Sequence, residues 1–200
     1  MEGSAGILIG ALAVLLLGSA FFSASETAFS SVNRIRLKSM AAEGNKRAAR
    51  AIVIVEDYDN MLSAVLIGNN IVNILSSSLA TVLFVGFFGN LGVTISTVVM
   101  TILVLIFGEI SPKTLAREAP EQFALFAAPI LRFFMIILFP LGWLFGQWKK
   151  LILKLFKVGG GRPVSEEELL TYVEEVRQEG GINEGEEAMI RQAIEFGDLE

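Results

Sequence analysis

Neither cysteine nor histidine occurs anywhere in the 200 residues. Without cysteine there is no disulfide framework, no thiolate nucleophile and no thiolate-held zinc. Without histidine, the commonest general base and the commonest transition-metal ligand are both missing. The donors left for a cation are oxygens, from Glu, Asp, Asn, Ser, Thr and backbone carbonyls, and these suit hard ions such as Mg²⁺, Ca²⁺ or Mn²⁺. Charge is also sparse: 18% of residues are charged and 53% are apolar. With a mean hydropathy of +0.61, the composition is that of a chain with several membrane segments rather than a soluble domain. An intramembrane enzyme would be reduced to a carboxylate pair or a Ser–Lys arrangement, with Lys113 and the membrane serines as its only candidates. The chain is therefore read as not an enzyme.

What is present centres on Phe107-Gly-Glu-Ile-Ser-Pro-Lys113, which follows residues 93–107, a run with no charge at all. A carboxylate at the end of such a run sits at membrane depth and costs about 2.5 kcal/mol or more there, so it faces water, a partner or a cargo. Gly108 and Pro112 flank it, and Pro112 removes a backbone donor. Glu109 is the predicted charged ligand of an intramembrane cation site.

Residues 1–158 carry a charge balance of +4 and residues 159–200 one of −9. This asymmetry divides the chain into a membrane domain and an acidic helical segment. The first apolar helix covers about residues 5–30. No basic stretch precedes it, which argues against a signal peptide. Its second half turns polar at Ser19, Ser23, Ser25, Glu26 and Thr27, with Ser19 and Ser23 stacked at i, i+4. One membrane serine is explained by tight packing or a bond to its own i−4 carbonyl; a cluster beside a carboxylate is less easily dismissed.

Residues 31–60 are amphipathic and basic, with a break at Gly44–Asn45. The positive-inside rule makes this loop cytoplasmic and the N-terminus external. Next to a membrane helix, its cations are read as contacts for lipid headgroups rather than for nucleic acid. The second helix, about 61–88, carries Gly68-Asn-Asn-Ile-Val-Asn73; the third, about 93–115, carries Glu109. About 123–157 is again apolar, but a fourth crossing would leave Lys149, Lys150, Lys154 and Lys157 outside. It is read as an interfacial belt helix with Trp143 and Trp148 at headgroup level. Gly159–Gly161 is read as a joint, and Ser165 with Glu168 as a capping box opening the first of two acidic helices. The predicted fold is thus an all-α membrane protein: three transmembrane helices, a belt helix and a small cytosolic acidic bundle.

Depth brings the polar clusters together. Glu109 lies eight residues before Arg117 and Asn69 eight past Met61, each about 12 Å from the basic side, while Ser23 lies eleven before Arg34, about 16 Å. Three helices therefore offer a carboxylate, carboxamides and hydroxyls at one level. Carbonyls freed near Gly68, Gly108 and Pro112 complete enough oxygen for a six-coordinate dication.

Phe21-Phe-Ser-Ala-Ser-Glu-Thr-Ala-Phe29, Ile67-Gly-Asn-Asn-Ile-Val-Asn-Ile74 and Phe107-Gly-Glu-Ile-Ser-Pro-Lys-Thr114 resemble the DUF21 transmembrane domain of the CorC/CNNM magnesium transporter family. The resemblance implies a homodimer in the bilayer, multi-pass in the inner (plasma) membrane, with CBS domains downstream of an acidic bundle. It further implies Mg²⁺ as cargo and Na⁺ as coupling ion. Carried over by motif, the ligands are Ser19, Ser23, Glu109 and an asparagine of the second motif, Asn69 or Asn70. Ser25, Glu26, Asn73, Gly108, Pro112 and Lys113 are assigned to the ion pathway or to support of the ligands, Lys113 as a snorkelling or gate-side charge. The alternative is a membrane Mg²⁺ sensor that binds the ion and leaves its movement to a partner.

Overall fold

A computed structural model describes residues 2–155, 166–178 and 181–197. The described residues are almost wholly helical, with no strand among them. They fall into two units, residues 1–150 and 151–200.

In the first unit, α1 (Glu2–Ser31) is followed by two short helices, α2 (Arg34–Ala42) and α3 (Lys46–Glu56). Each short helix opens on an asparagine cap. Asn33 Oδ1 accepts from the amides of Ile35 and Arg36, and Asn45 Oδ1 from those of Arg47 and Ala48. Both caps satisfy donors that the first helical turn leaves unpaired. Gly44, at φ +94°, makes the break expected between them. Then come α4 (Tyr58–Phe88), a 3₁₀ turn (Gly89–Leu91), α5 (Gly92–Leu103), a π-helical turn (Val104–Ile110), α6 (Ser111–Glu118) and α7 (Pro120–Leu155).

Three helical runs are long and apolar enough to cross a membrane: Ala5–Ser31, Tyr58–Glu118 and Pro120–Trp148. The 61-residue middle run folds back at Gly89, where φ is +60°, and α5 packs along α4. It therefore holds the second and third expected spans, about 61–88 and 93–115, as an antiparallel pair. The last run is the segment read from charge as a belt. Its Phe134, Met135 and Leu138 meet Ala64 and Ile67 of α4, and Gly142 faces Ser63; Leu141 and Phe145 line a groove with Asn70 and Ile74 further along the same helix.

Small residues bring α1 against α6, through Ala24, Ala28 and Ala116. The backbones approach closely there without any help from hydrophobic driving force, as membrane interfaces require. The main core gathers Phe22, Phe29, Leu37, Ile54, Met61, Val65 and Leu131 at the basic-loop end. In it α2, α3 and α7 tie α1 to α4. A bare Gly68 makes room for the Phe22 ring, whose Cζ lies 2.5 Å from where a Cβ would stand.

The second unit contains α8 (Glu166–Gln178) and α9 (Glu184–Gly197). The glycine joint 159–161 and the Ser165 cap lie outside the described residues. The box that is seen belongs to α9, where Asn183 Oδ1 accepts from the Glu186 amide and Glu186 Oε2 accepts from the Asn183 amide, both at 2.9 Å. The Arg177 guanidinium lies 2.6 Å from the Glu187 carboxylate and joins the two helices.

Candidate cation site

α1 and α4 are antiparallel, with Gly18 against Val72, Ser19 against Asn69 and Phe22 against Gly68. Ser19 Oγ donates to Asn69 Oδ1 at 3.1 Å. Asn73 Nδ2, one turn further on, donates to the same oxygen at 3.4 Å. Ser19 and Ser23 are fully buried. Ser23 Oγ and Asn73 Oδ1 are buried with no hydrogen-bond partner among the described residues. An unsatisfied buried polar atom costs about 1–3 kcal/mol. Here two such oxygens lie one turn to either side of the Ser19–Asn69 contact, and both have lone pairs free for a cation.

The third contribution comes from the π turn. Ser111 donates its N–H to Ile106 O, five residues back. Pro112 follows and has no N–H, so the carbonyl it would have served, Phe107 or Gly108 according to register, gains no donor from it. Gly108 is buried against α1, and a Cβ on it would come within 2.7 Å of Ser19 Oγ. The glycine thus lets the π turn reach the Ser19–Asn69 pair. Glu109 stands next in the chain, partly buried, and forms no ion pair among the described residues. No three Asp or Glu side chains cluster among the described residues.

The remaining expected residues separate. Asn70 is exposed and bonds Leu66 O of its own helix at 2.9 Å. It lines an apolar groove with Leu141 and Phe145. It is turned about 100° from Asn69 around the helix, and the Ser19 hydroxyl meets Asn69 instead. Ser25 Oγ is spent on Phe21 O at 2.7 Å. Lys113 pairs with Glu26, its Nζ 3.2 Å from Glu26 Oε2. That pair joins α6 to α1, and Glu109 is left without a cationic partner among the described residues.

One feature of this face went unread in the sequence. Asn73, Ser77 and Thr81 on α4, with Ser96, Thr97 and Thr101 on α5, line a cavity of about 290 Å³. Thr81 and Ser96 hydroxyls are 3.3 Å apart across it. The i, i+4, i+8 spacing on α4 and the i, i+4 pair on α5 were the available signal.

These positions give a direct comparison. If this face holds Mg²⁺, Asn69→Ala is expected to weaken that binding by about tenfold, the loss of one good oxygen contact, while Asn70→Ala leaves it unchanged. Calorimetric titration of the two purified variants decides between them; equal losses would reject the face described here.

Comparison with known proteins shows what the chain is similar to. The family described as the cyclin M transmembrane N-terminal domain matches residues 10–187. The chain is similar to the inner membrane protein YfjD of Escherichia coli, 39% identical over 165 residues covering 80% of this chain and 39% of that protein. It is also 39% identical to a Haemophilus influenzae protein over 167 residues, covering 82% of this chain and 40% of the relative. A DUF21 domain-containing chloroplast protein of Arabidopsis thaliana is 31% identical over 189 residues, 94% of this chain and 29% of that protein. The chain spans less than half the length of each of these relatives.

Proposed function

The chain belongs to the CNNM transmembrane-domain family, and from that premise we propose that it carries Mg²⁺ across an inner (plasma) membrane, driven by Na⁺ moving the other way. The observation that carries the reading is an unpaired Glu109 in a π turn that abuts Ser19, with Ser23 Oγ and Asn73 Oδ1 orphaned on either side of the Ser19–Asn69 contact. Mg²⁺ gives up its water only to oxygens near octahedral positions. Ser19, Ser23, Asn69, Glu109 and a carbonyl released by Pro112 supply that chemistry from three helices. The Glu26–Lys113 pair holds α6 against α1 beside the ligands. The hydroxyl-lined cavity that begins at Asn73 is the route toward the Gly89 end. The membrane location follows the printed name of the Escherichia coli relative and the apolar runs. In the same proposal the basic loop is cytoplasmic, the N-terminus is external, the working unit is a homodimer, and CBS domains act with this region.

Reconstitution tests it. Proteoliposomes are expected to move Mg²⁺ and to do so faster with an opposing Na⁺ gradient. Mg²⁺ binding without flux under either condition would reject transport in favour of a sensor.

A further inference from the structure

α7 carries an arginine in an otherwise apolar stretch, and the mechanism above leaves it unused. Arg132 is exposed and forms no ion pair among the described residues; a cation on an apolar helix at the membrane surface is placed to meet a lipid headgroup. It opens one helical face, Arg132, Met135, Ile136 and Phe139, at i, i+3, i+4 and i+7. That face borders a cavity of about 320 Å³ shared with Asp57 and Asn60, where α3 hands over to α4. Among the described residues Asp57 also lacks an ion-pair partner; its Oδ1 accepts from Asn60 Nδ2, at 2.7 Å. Two opposite charges thus face one cavity without joining each other. The rest of the wall is apolar, and Ile136 and Phe139 stand mostly exposed.

We infer that this cavity binds one phospholipid, with a phosphate and a primary ammonium in its headgroup: a phosphatidylethanolamine. Arg132 takes the phosphate through charge-assisted hydrogen bonds. Asp57 takes the ammonium, which a purely anionic headgroup lacks. Met135, Ile136 and Phe139 lie along the start of an acyl chain. The position fits a lipid rather than a soluble ligand, because the exposed face of α7 continues as Phe133, Ile137 and Phe139, a surface that belongs in acyl chains. The site lies at the junction next to the basic α2–α3 loop, where headgroups of that leaflet are concentrated. It makes no use of Glu109 or of any cation ligand, so its success or failure is independent of the transport reading.

Native mass spectrometry of the full chain in detergent, titrated with lipids of identical acyl chains, tests it. Phosphatidylethanolamine is expected to bind about tenfold more tightly than phosphatidylcholine, whose trimethylammonium gives Asp57 no N–H, and about tenfold more tightly than phosphatidylglycerol. Arg132→Gln should lower binding of all three by about tenfold. The isosteric Asp57→Asn, which keeps the fold if Arg132→Gln does not, should erase the preference for phosphatidylethanolamine over phosphatidylglycerol. Equal affinity for the three lipids in the wild type, or an unaltered preference in Asp57→Asn, would overturn the assignment. Displacement by free phosphoethanolamine at the same concentration would overturn it as a lipid site.

Discussion

A Glu109→Gln variant is expected to lose Mg²⁺ affinity by about two orders of magnitude, or about 2.7 kcal/mol, while its thermal stability in detergent is unchanged or higher. The two halves of that result share one cause. Glu109 has no cationic partner among the described residues, so its charge is a cost to the empty protein. Glutamine keeps the length and the carbonyl oxygen and removes only the charge. If the carboxylate served the fold, the substitution would lower stability as well as binding. If the binding site lay elsewhere, affinity would survive. Flux should fall with affinity, and Glu109→Asp should retain part of both, because it keeps the charge and loses one methylene of reach. Calorimetric titration with thermal unfolding of the same samples reads both halves. A variant that binds Mg²⁺ as the wild type does would remove the cation site described here.

The largest stability effect is expected at Gly92, far from the cation ligands. Gly92 is buried where α5 turns back onto α4, and a Cβ there would lie 2.5 Å from the Phe84 carbonyl oxygen, with the Val85 amide nitrogen nearer still. These are backbone atoms in a helix and cannot rotate aside. Gly92→Ala must therefore push α5 away from α4, an overpacking cost of about 3 kcal/mol, or about 10 °C in Tm for a chain of this size. Gly86 supplies the contrast. It lies in α4 and a Cβ there would meet nothing within 4 Å, so Gly86→Ala should hold or raise Tm by the ordinary helix preference for alanine. Equal Tm for the two variants would mean that α4 and α5 do not approach as described.

What could be read in the sequence follows from which physical signals are local. The apolar runs gave spans at about 5–30 and 61–88, against helices at Glu2–Ser31 and Tyr58–Phe88, because length and hydropathy alone decide them. Asn69 with Asn73 was legible from the i, i+4 spacing. Matched depth set Ser23 level with Asn69, whereas the contact is made by Ser19, one turn further from the basic loop, because counting residues to the nearest basic side chain fixes a level only to about a helical turn. Phase is another matter. Depth alone does not distinguish Asn69 from Asn70; the rotation of α4 about its axis does, and that is set by Phe22 filling the space at Gly68. The partner of Lys113 was hidden for a similar reason. Its spacing from Glu109 is i, i+4, the geometry of a local ion pair, and the sequence reads it instead as a snorkelling or gate-side charge. Its partner, Glu26, is 87 positions away in sequence, and only the contact of α1 with α6 reveals it. The π turn was signalled by Gly108 and Pro112 as a disturbance, but its register depends on packing that the sequence does not display.

That register has a consequence for how the site and its scaffold relate. A π turn is an α-helix with one residue too many, the surplus absorbed within a few positions so that the helix on either side keeps its phase. Along Val104–Ile110 the surplus lies between α5, which packs on α4, and α6, which packs on α1. The packing on both sides would be compatible with an uninterrupted helix one residue shorter. Removing one residue from the turn is therefore expected to keep the packing of α5 on α4 and of α6 on α1 while converting the i→i−5 register into an ordinary i→i−4 helix.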